Sequence, residues 1–177
     1  METTQQYIHP FEAAGLGVAP FHFVGMTEKS GPIKLGNGLT VGAPGQPMGT
    51  CDYCGQGIKY CCSIKAADGA EFIVGNDCVR KTYKKGSRVL TDVQRAVNAR
   101  KTEIRNAKLA KRRIVAVELF EQHRAAIAEL PHSNRYWADQ GRTRADEVQW
   151  MIERAGNQRA VSEVNQAIKA AGIAAKA

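Results

Sequence analysis

The sequence has no long hydrophobic run, since no stretch of about 18 apolar residues occurs anywhere in its 177 positions. A membrane-spanning helix is therefore not expected, and the function should not require a membrane. The first residues, Met1–Gln6, also lack the basic start and apolar stretch of a signal peptide. We therefore expect a cytoplasmic protein. In a reducing cytoplasm, clustered cysteines bind metal more often than they form disulfides.

The sequence also has few histidines and no recognisable catalytic constellation. No histidine occurs between residues 23 and 122, so a histidine-based metal nuclease is not indicated. The His-x-Glu and Pro-Cys-x2-Cys pair of the nucleic-acid deaminases is missing as well. No βαβ pattern surrounds the Cys-x2-Cys pair, which argues against a redox role. We therefore expect no enzymatic activity and no small-molecule substrate.

The cysteines are the most informative feature that is present. Four of them lie within 28 residues with the pattern Cys-x2-Cys-x6-Cys-x16-Cys, at Cys51, Cys54, Cys61 and Cys78. Two thiolates separated by two residues can chelate one ion from a tight turn, and a tetrahedral zinc site then needs two further donors. Gly55 allows the turn, and Cys78 falls at a predicted helix start, which favours a thiolate. The pattern predicts one structural zinc ion.

The fourth zinc donor is the open point of this prediction, because Cys61 and Cys62 are adjacent. On a strand the two side chains point to opposite faces. Cys62 shares its side with the apolar residues of the strand, where a free thiol behaves as a small hydrophobe. Cys61 lies on the polar side and has no packing reason to be cysteine, so we prefer it as the ligand. Less favoured alternatives are Cys62, His9, His22 and Asp77.

The predicted fold class is α+β, with a small β-hairpin zinc module followed by a long basic helix and a helical hairpin. The predicted boundaries are a Gly/Pro-rich segment with short strands at residues 1–48, the zinc module at 49–88, a helical region at 89–172 and a frayed tail at 173–177. Asn37-Gly38 and Asp68-Gly69 are turn signals that predict two hairpins. The first hairpin has alternating apolar residues, so we expect it to bury one face. A short strand is expected at Phe21–Val24.

The helices are predicted from apolar periodicity and from capping residues. A short helix should be capped by Asn76 or Asp77 and run through Cys78 to about Lys85. A long helix should run from about Thr91 to Leu130 and end before Pro131. Two further helices should begin after a capping box starting at Thr143 and after a cap at Asn157, and pack near Leu119 and Phe120.

The amino-terminal half resembles a family of uncharacterised zinc-binding proteins, treble-clef or zinc-ribbon-like, from phages and bacterial mobile elements. The resemblance covers about residues 9 to 82. It is carried by segments 11–17, 20–25, 51–55, 67–69 and 72–81, the last reading Phe-Ile-Val-Gly-Asn-Asp-Cys-Val-Arg-Lys. It implies a zinc-binding module in a bacterial or phage-infected host cell, and it implies no particular activity.

The positive charge is concentrated in one segment. Residues 80–113 carry thirteen Lys or Arg against two acidic residues, although the whole chain has a net charge of only +8. Such asymmetry indicates a polyanionic partner. Four of the basic residues between positions 101 and 112 are spaced to lie on one helix face. The full set of predicted contact residues is Arg80, Lys81, Lys84, Lys85, Arg88, Lys101, Arg105, Lys108 and Arg112. Tyr83 is a further candidate contact.

Two functions of different classes follow from these features. The first is a zinc-stapled accessory protein that binds DNA or RNA through the phosphate backbone, without strong sequence specificity. The second is a phage or mobile-element protein that binds and modulates a host protein as an inhibitor or adaptor. In the second case Trp137 or Trp150 would supply the anchors, because aromatic residues dominate interface hot spots.

Overall fold

A computed structural model describes residues 7–173, which form two compact units divided between Lys101 and Thr102. The architecture is α+β, as predicted: small antiparallel sheets come first and helices follow. The segment Met1–Gln6 and most of the predicted frayed tail lie outside the described residues.

The first unit contains all the strands and the short helices near them. These elements are α1 (Pro10–Ala13), β1 (His22–Glu28), β2 (Ile33–Lys34), β3 (Thr40–Val41), β4 (Gly49–Thr50), β5 (Gly57–Ile58), β6 (Tyr60–Lys65), β7 (Glu71–Gly75), α2 (Asn76–Thr82) and the beginning of α3 (Arg88–Gln122). Both predicted turns join paired strands, since β2 pairs with β3 and β6 pairs with β7.

The main sheet has the antiparallel order β1-β6-β7, so β6 is its central strand. The predicted strand at Phe21–Val24 is longer than expected and pairs with β6, with a register shift between Phe23 and Gly25. Across the other edge, Cys61 pairs with Gly75 and Cys62 with Val74. This register places β6 directly beside the strand that leads into α2.

The core of the first unit is built around aromatic rings. The ring of Phe11, which is fully buried, makes edge contacts with Phe21 and Phe72 at centroid distances of 5.8 and 5.3 Å. Tyr53, from the segment between the first two cysteines, joins the same group at 5.2 Å. Such edge-to-face pairs add to the energy of area burial. Cys51 and Cys78 also belong to this core, so the cysteine region is packed into it.

The second unit is helical. It contains the rest of α3, followed by α4 (Arg124–Ala128), α5 (Arg135–Asp139), α6 (Arg144–Arg154) and α7 (Asn157–Ala170). Phe120 lies at its centre and packs with Ile127, Val148 and Val164, all fully buried. Leu119 is partly buried against the same core, so the predicted packing of the last two helices near residues 119 and 120 is confirmed.

Several helix boundaries differ from the prediction. The long helix begins three residues earlier than expected and ends at Gln122, because the N–H of His123 makes a tight 3.1 Å bond to the carbonyl of Phe120. Such bonds to the third preceding residue commonly close helices. The chain resumes as α4, which ends at Ala128, before Pro131. The short helix α5 was not predicted at all.

Two predicted helix caps are also corrected. The cap of α2 is Gly75 instead of Asn76 or Asp77, because the helix starts directly at the end of β7. The cap of α7 is Gly156, since Asn157 is already helical and its side chain accepts a 2.9 Å hydrogen bond from Arg113. The predicted capping box is confirmed, with Thr143 and Asp146 each bonded to the backbone of the other.

The first hairpin differs from expectation in its burial. Its alternating apolar residues were predicted to cover one face, but both strands are exposed and Leu39 at the turn is 63% accessible. The alternation was therefore not a sign of burial. Within residues 7–173, none of the helices combines the length and the hydrophobicity that crossing a bilayer would need.

Candidate metal centre

The first two cysteines lie on a tight turn between β4 and β5. The two strands pair Gly49 with Ile58 and Thr50 with Gly57, so Cys51 leaves the end of one strand just before the turn. The turn is closed by a 2.8 Å bond from the N–H of Gly55 to the carbonyl of Cys51. Gly55 has a φ of 73°, a left-handed conformation that glycine adopts readily. The prediction that this glycine shapes the turn is confirmed.

Cys78 is the third residue of α2, and its side chain lies beside the turn that carries Cys51 and Cys54. Its sulfur lies 3.7 Å from the sulfur of Cys51 and 3.4 Å from that of Cys54, and the three sulfurs all lie within 4.8 Å of one another. A disulfide would require about 2.05 Å. Four sulfurs at about 2.3 Å from a tetrahedral zinc ion would be about 3.8 Å apart. The three cysteines therefore form a group that could hold a metal ion, and their spacing fits three corners of such a site.

The exposed side of this sulfur group favours the thiolate form of cysteine, and the buried side disfavours it. The backbone N–H of Gln56, and next the Cys78 thiol, hold the pKa of Cys54 below its usual value. Burial, and next the neighbouring thiols, raise the pKa of Cys78 to about 12. A bound cation offsets that cost, because coordinating thiols are deprotonated outright. The N–H of Gly75 points to the sulfur of Cys51 at 3.5 Å and disperses charge there.

Asp52 fixes the turn to the sheet. Its backbone N–H donates to the carbonyl of Ile73 at 2.8 Å, and its carboxylate accepts from the N–H of the same residue at 2.6 Å. Because β7 leads directly into α2, this clamp sets the position of the turn relative to Cys78. Sequence reasoning missed it: an aspartate between two cysteines also fits a solvated turn residue.

The structure does not bring Cys61 into the sulfur group. Cys61 is buried one strand away, beside Gly75 in the register, and its sulfur lies 2.3 Å from the point that a Cβ on Gly49 would occupy. Cys62 faces the hydrophobic core, as predicted, where burial raises its pKa to about 12. Among the described residues, only Cys51, Cys54 and Cys78 form such a metal-ligating group. Cys61 as the fourth donor stays a prediction.

The less favoured alternative ligands lie outside the group as well. The imidazole of His9 belongs to the aromatic core, where its Nδ1 accepts a 3.2 Å bond from the N–H of Phe11. Burial lowers the pKa of His9. The carboxylate of Asp77 lies 3.7 Å from the guanidinium of Arg80. His22 starts β1 and is exposed.

The nine basic residues predicted to contact nucleic acid are all exposed. Arg105, Lys108 and Arg112 lie in the second unit, and the other six lie in the first. From residue 98 to residue 108 no side chain of α3 is buried. Tyr83, in contrast, is half buried in the aromatic core, and burial raises its pKa to about 12. The hydroxyl of Tyr83 is enclosed, so it is not placed to contact a phosphate.

Comparison with known proteins adds no assignment, since no protein-family model, curated protein or solved structure matches the chain.

Proposed function

We propose that this protein is a zinc-stapled nucleic-acid-binding accessory protein that contacts DNA or RNA mainly through the phosphate backbone. The zinc assignment is supported by the sulfur separations of 3.4 and 3.7 Å, which suit a tetrahedral sulfur site. Zinc is the metal that all-cysteine tetrahedral sites most often hold in structural modules. The ion is structural: it joins the turn after β4 to the start of α2.

Nucleic-acid binding is supported mainly by the concentration of exposed positive charge. The segment from residue 80 to residue 113 carries thirteen Lys or Arg, and the nine named as contacts are all exposed. The ion pairs of Arg80 and Arg88 are long, at 3.7 and 3.8 Å, and lie at the surface, where such pairs contribute little. Neutralising phosphates releases counterions, so six or more contacts give appreciable, salt-sensitive affinity.

The test compares two triple charge reversals that change the net charge equally. Arg105, Lys108 and Arg112 change to Glu in the first variant, and Lys34, Lys65 and Lys169 change to Glu in the control. All six are exposed. Binding to random duplex is measured across a salt series, together with the zinc content.

We expect the first variant to lose affinity, and its salt slope to fall by about 0.9 for each lost phosphate contact. The control should keep most of its affinity, and both variants should keep their zinc. Equal losses in both variants would mean that only the overall charge matters. Unchanged binding in the first variant would exclude these three residues of α3 from the contact surface.

One observation favours the alternative function, binding of a host protein. The hairpin formed by β2 and β3 exposes apolar side chains, and Leu39 is 63% accessible at its turn. A pull-down from host lysate, with and without nuclease, separates the two functions. A stoichiometric host protein that survives nuclease and is lost with Leu39→Ser supports the alternative. Material that disappears with nuclease supports the proposed function.

A further inference from the structure

A cavity of about 660 Å³ lies in the second unit, bounded by α5, α6, α7 and the loops on either side of α5. This volume is within the range of small-ligand sites, about 300 to 1,000 Å³. The chain has two tryptophans, and both line this cavity, with ring centroids 5.5 Å apart. Tyr136 packs edge-on against Trp137 and is exposed. The wall therefore offers aromatic surface to a ligand.

Three arginines surround the aromatic surface. The guanidinium of Arg142 lies 5.5 Å from the ring centre of Trp137, and that of Arg154 lies 5.6 Å from the ring centre of Trp150. Arg159, on α7, also lines the cavity. In the part of the chain that the structure describes, none of these three makes an ion pair, so their charge is available to a ligand.

The acidic residues of the wall are largely engaged elsewhere. Arg144 is buried and bridges Glu147 at 2.7 Å and Glu163 at 2.5 Å. Glu147 also accepts a hydrogen bond from the hydroxyl of Ser133. Glu153 accepts a 2.7 Å bond from the side-chain amide of Gln149. The wall therefore carries three arginines without ion pairs among the described residues and three carboxylates, and the buried Arg144 offsets one of the carboxylate charges, so the positive charge exceeds the negative by one.

This combination favours a ligand that carries both a planar aromatic group and a negative charge. Arginines already placed over the indole rings disfavour a cationic ligand, although bare aromatic cages bind such ligands. A nucleobase can stack on an aromatic face while its phosphate pairs with arginine, which is the usual chemistry of single-stranded nucleic-acid sites. Trp150 is 37% accessible and is the ring that α6 presents at the cavity.

A second, more open cavity of about 750 Å³ adjoins this surface through a shared residue. Arg159 lines both cavities, and Arg105 of the basic stripe lines the second. Cationic surface therefore continues within the second unit from α3 towards the tryptophans. We propose that this surface binds single-stranded nucleic acid, with a base stacked on Trp150 and its phosphates held by Arg154 and Arg159. The inference rests on the proposed nucleic-acid function and specifies a single-strand site for it.

The test uses the full-length protein and its own tryptophans, because both lie in the cavity and no label is needed. An oligothymidylate of about 12 nucleotides is compared with an abasic strand of equal length, which has the same phosphates without bases. Tryptophan fluorescence reports stacking, and anisotropy of a labelled strand reports binding. The variants are Trp150→Ala and Arg159→Gln, with Lys169→Gln as a charge-matched exposed control. Thermal melting verifies that each variant is folded.

We expect oligothymidylate to quench the tryptophan fluorescence and the abasic strand to leave it nearly unchanged. Trp150→Ala should weaken binding by about 5- to 150-fold, the range for loss of one stacked base. Arg159→Gln should also weaken it, and Lys169→Gln should not.

Binding without quenching, and unaffected by Trp150→Ala, would overturn this site while leaving the backbone contacts of α3 intact. Equal quenching by the abasic strand would overturn the stacking. Stronger quenching by an acidic peptide would identify a protein ligand instead. Absence of any binding at low salt would overturn the proposed function as well as this site. If Trp150→Ala fails to fold, Arg159→Gln, which changes an exposed side chain, decides the result.

Discussion

Cys54 offers a sharp test of the metal centre, because it is the exposed member of the sulfur group. In the metal-free protein its side chain contributes little packing, so Cys54→Ser should change the free energy of unfolding by less than about 0.5 kcal/mol. With zinc present the variant lacks a ligand whose sulfur lies 3.4 Å from that of Cys78. The substitution should therefore remove the response to metal and leave the metal-free stability unchanged.

The size of this effect follows from binding linkage. At a free zinc concentration one hundred times the Kd, binding adds about 2.7 kcal/mol to the stability of the native state. For a unit of this size that corresponds to a rise in Tm of about 11 to 22 °C. Losing an outer-shell partner of a metal already costs up to about 100-fold in affinity, and losing a direct ligand should cost at least as much. The same zinc concentration then adds only about 0.4 kcal/mol, a rise of about 2 to 3 °C.

The measurement is thermal melting in the presence of zinc or of a chelator, monitored by circular dichroism and by tryptophan fluorescence. Both tryptophans lie in the second unit and the three cysteines of the sulfur group lie in the first, so tryptophan fluorescence serves as an internal control. The two hydrophobic cores share no residue. Chelation should lower the circular-dichroism transition of the first unit and leave the tryptophan transition in place.

Cys62→Ser is the matched control, because it should have the opposite pattern. Its thiol is fully buried in the core, so a hydroxyl there costs about 1 to 3 kcal/mol with or without metal. The increase in Tm on adding zinc should stay as in the wild type. A wild-type zinc response in Cys54→Ser, or its loss in Cys62→Ser, would refute the assignment of the three-sulfur group.

Four further outcomes are expected. Cys61→Ser should reduce the zinc response if Cys61 supplies the fourth donor, and an unchanged response would assign that corner to another donor. Gly49→Ala should destabilise the first unit by about 1 to 3 kcal/mol in thermal melts, because the new Cβ would lie 2.3 Å from the sulfur of Cys61, and adding Cys61→Ala should recover part of the loss. Thr143→Ala removes the capping box of α6 and should cost about 1 kcal/mol, measured by the tryptophan transition. Glu28 accepts hydrogen bonds from Arg100 and Lys59, which hold its pKa in the folded protein below the ordinary value of 4.5. Ionised Glu28 therefore stabilises the folded state above pH 4.5, and this contribution is lost as the pH falls through the lower pKa of the folded protein. Glu28→Gln should therefore flatten the fall in stability below pH 4.5, and an unchanged acid profile would contradict this assignment.

Local signals in the sequence were sufficient to predict that Cys51, Cys54 and Cys78 lie together. The motif Cys-x2-Cys followed by glycine predicts a chelating turn. A cysteine in the first turn of a following helix indicates a third ligand for the same ion. The order of turn, hairpin and helix then brings Cys78 to the turn without any long-range information. The two Asn-Gly and Asp-Gly turns were equally local, since each joins strands that are adjacent in sequence.

The same reasoning could not resolve the fourth donor, because alternation along a strand does not show what covers each face. Cys61 and Cys62 do lie on opposite sides of β6, but both sides are covered. Cys62 meets the aromatic core and Cys61 lies beneath Gly49, a residue twelve positions away. Polar neighbours made the Cys61 face look exposed. Its burial depends on the pairing of β4 with β5, which local pattern does not fix.

The aromatic cavity was beyond sequence reasoning for a similar reason. Trp137, Trp150 and Arg159 come from three helices, and their spacing has no common period. Each residue alone fits an ordinary surface position. The buried Arg144 of α6 pairs with Glu163 of α7, and Ser133, just before α5, hydrogen-bonds to Glu147 and Arg144, so contacts between distant residues build the wall. The tryptophans were identified as possible anchors, but not the arginines beside them.

The exposed middle of α3 is difficult to explain by stability alone. No side chain from residue 98 to residue 108 is buried, so packing contributes little to holding this section helical. Lys101 and Arg105 are four residues apart, as are Lys108 and Arg112, and like charges at this spacing cost about 0.2 to 0.5 kcal/mol for each pair. Alternating signs would remove that cost without changing the fold. A polyanion lying along the same face would relieve this repulsion, so the charge pattern agrees with the proposed binding of nucleic acid.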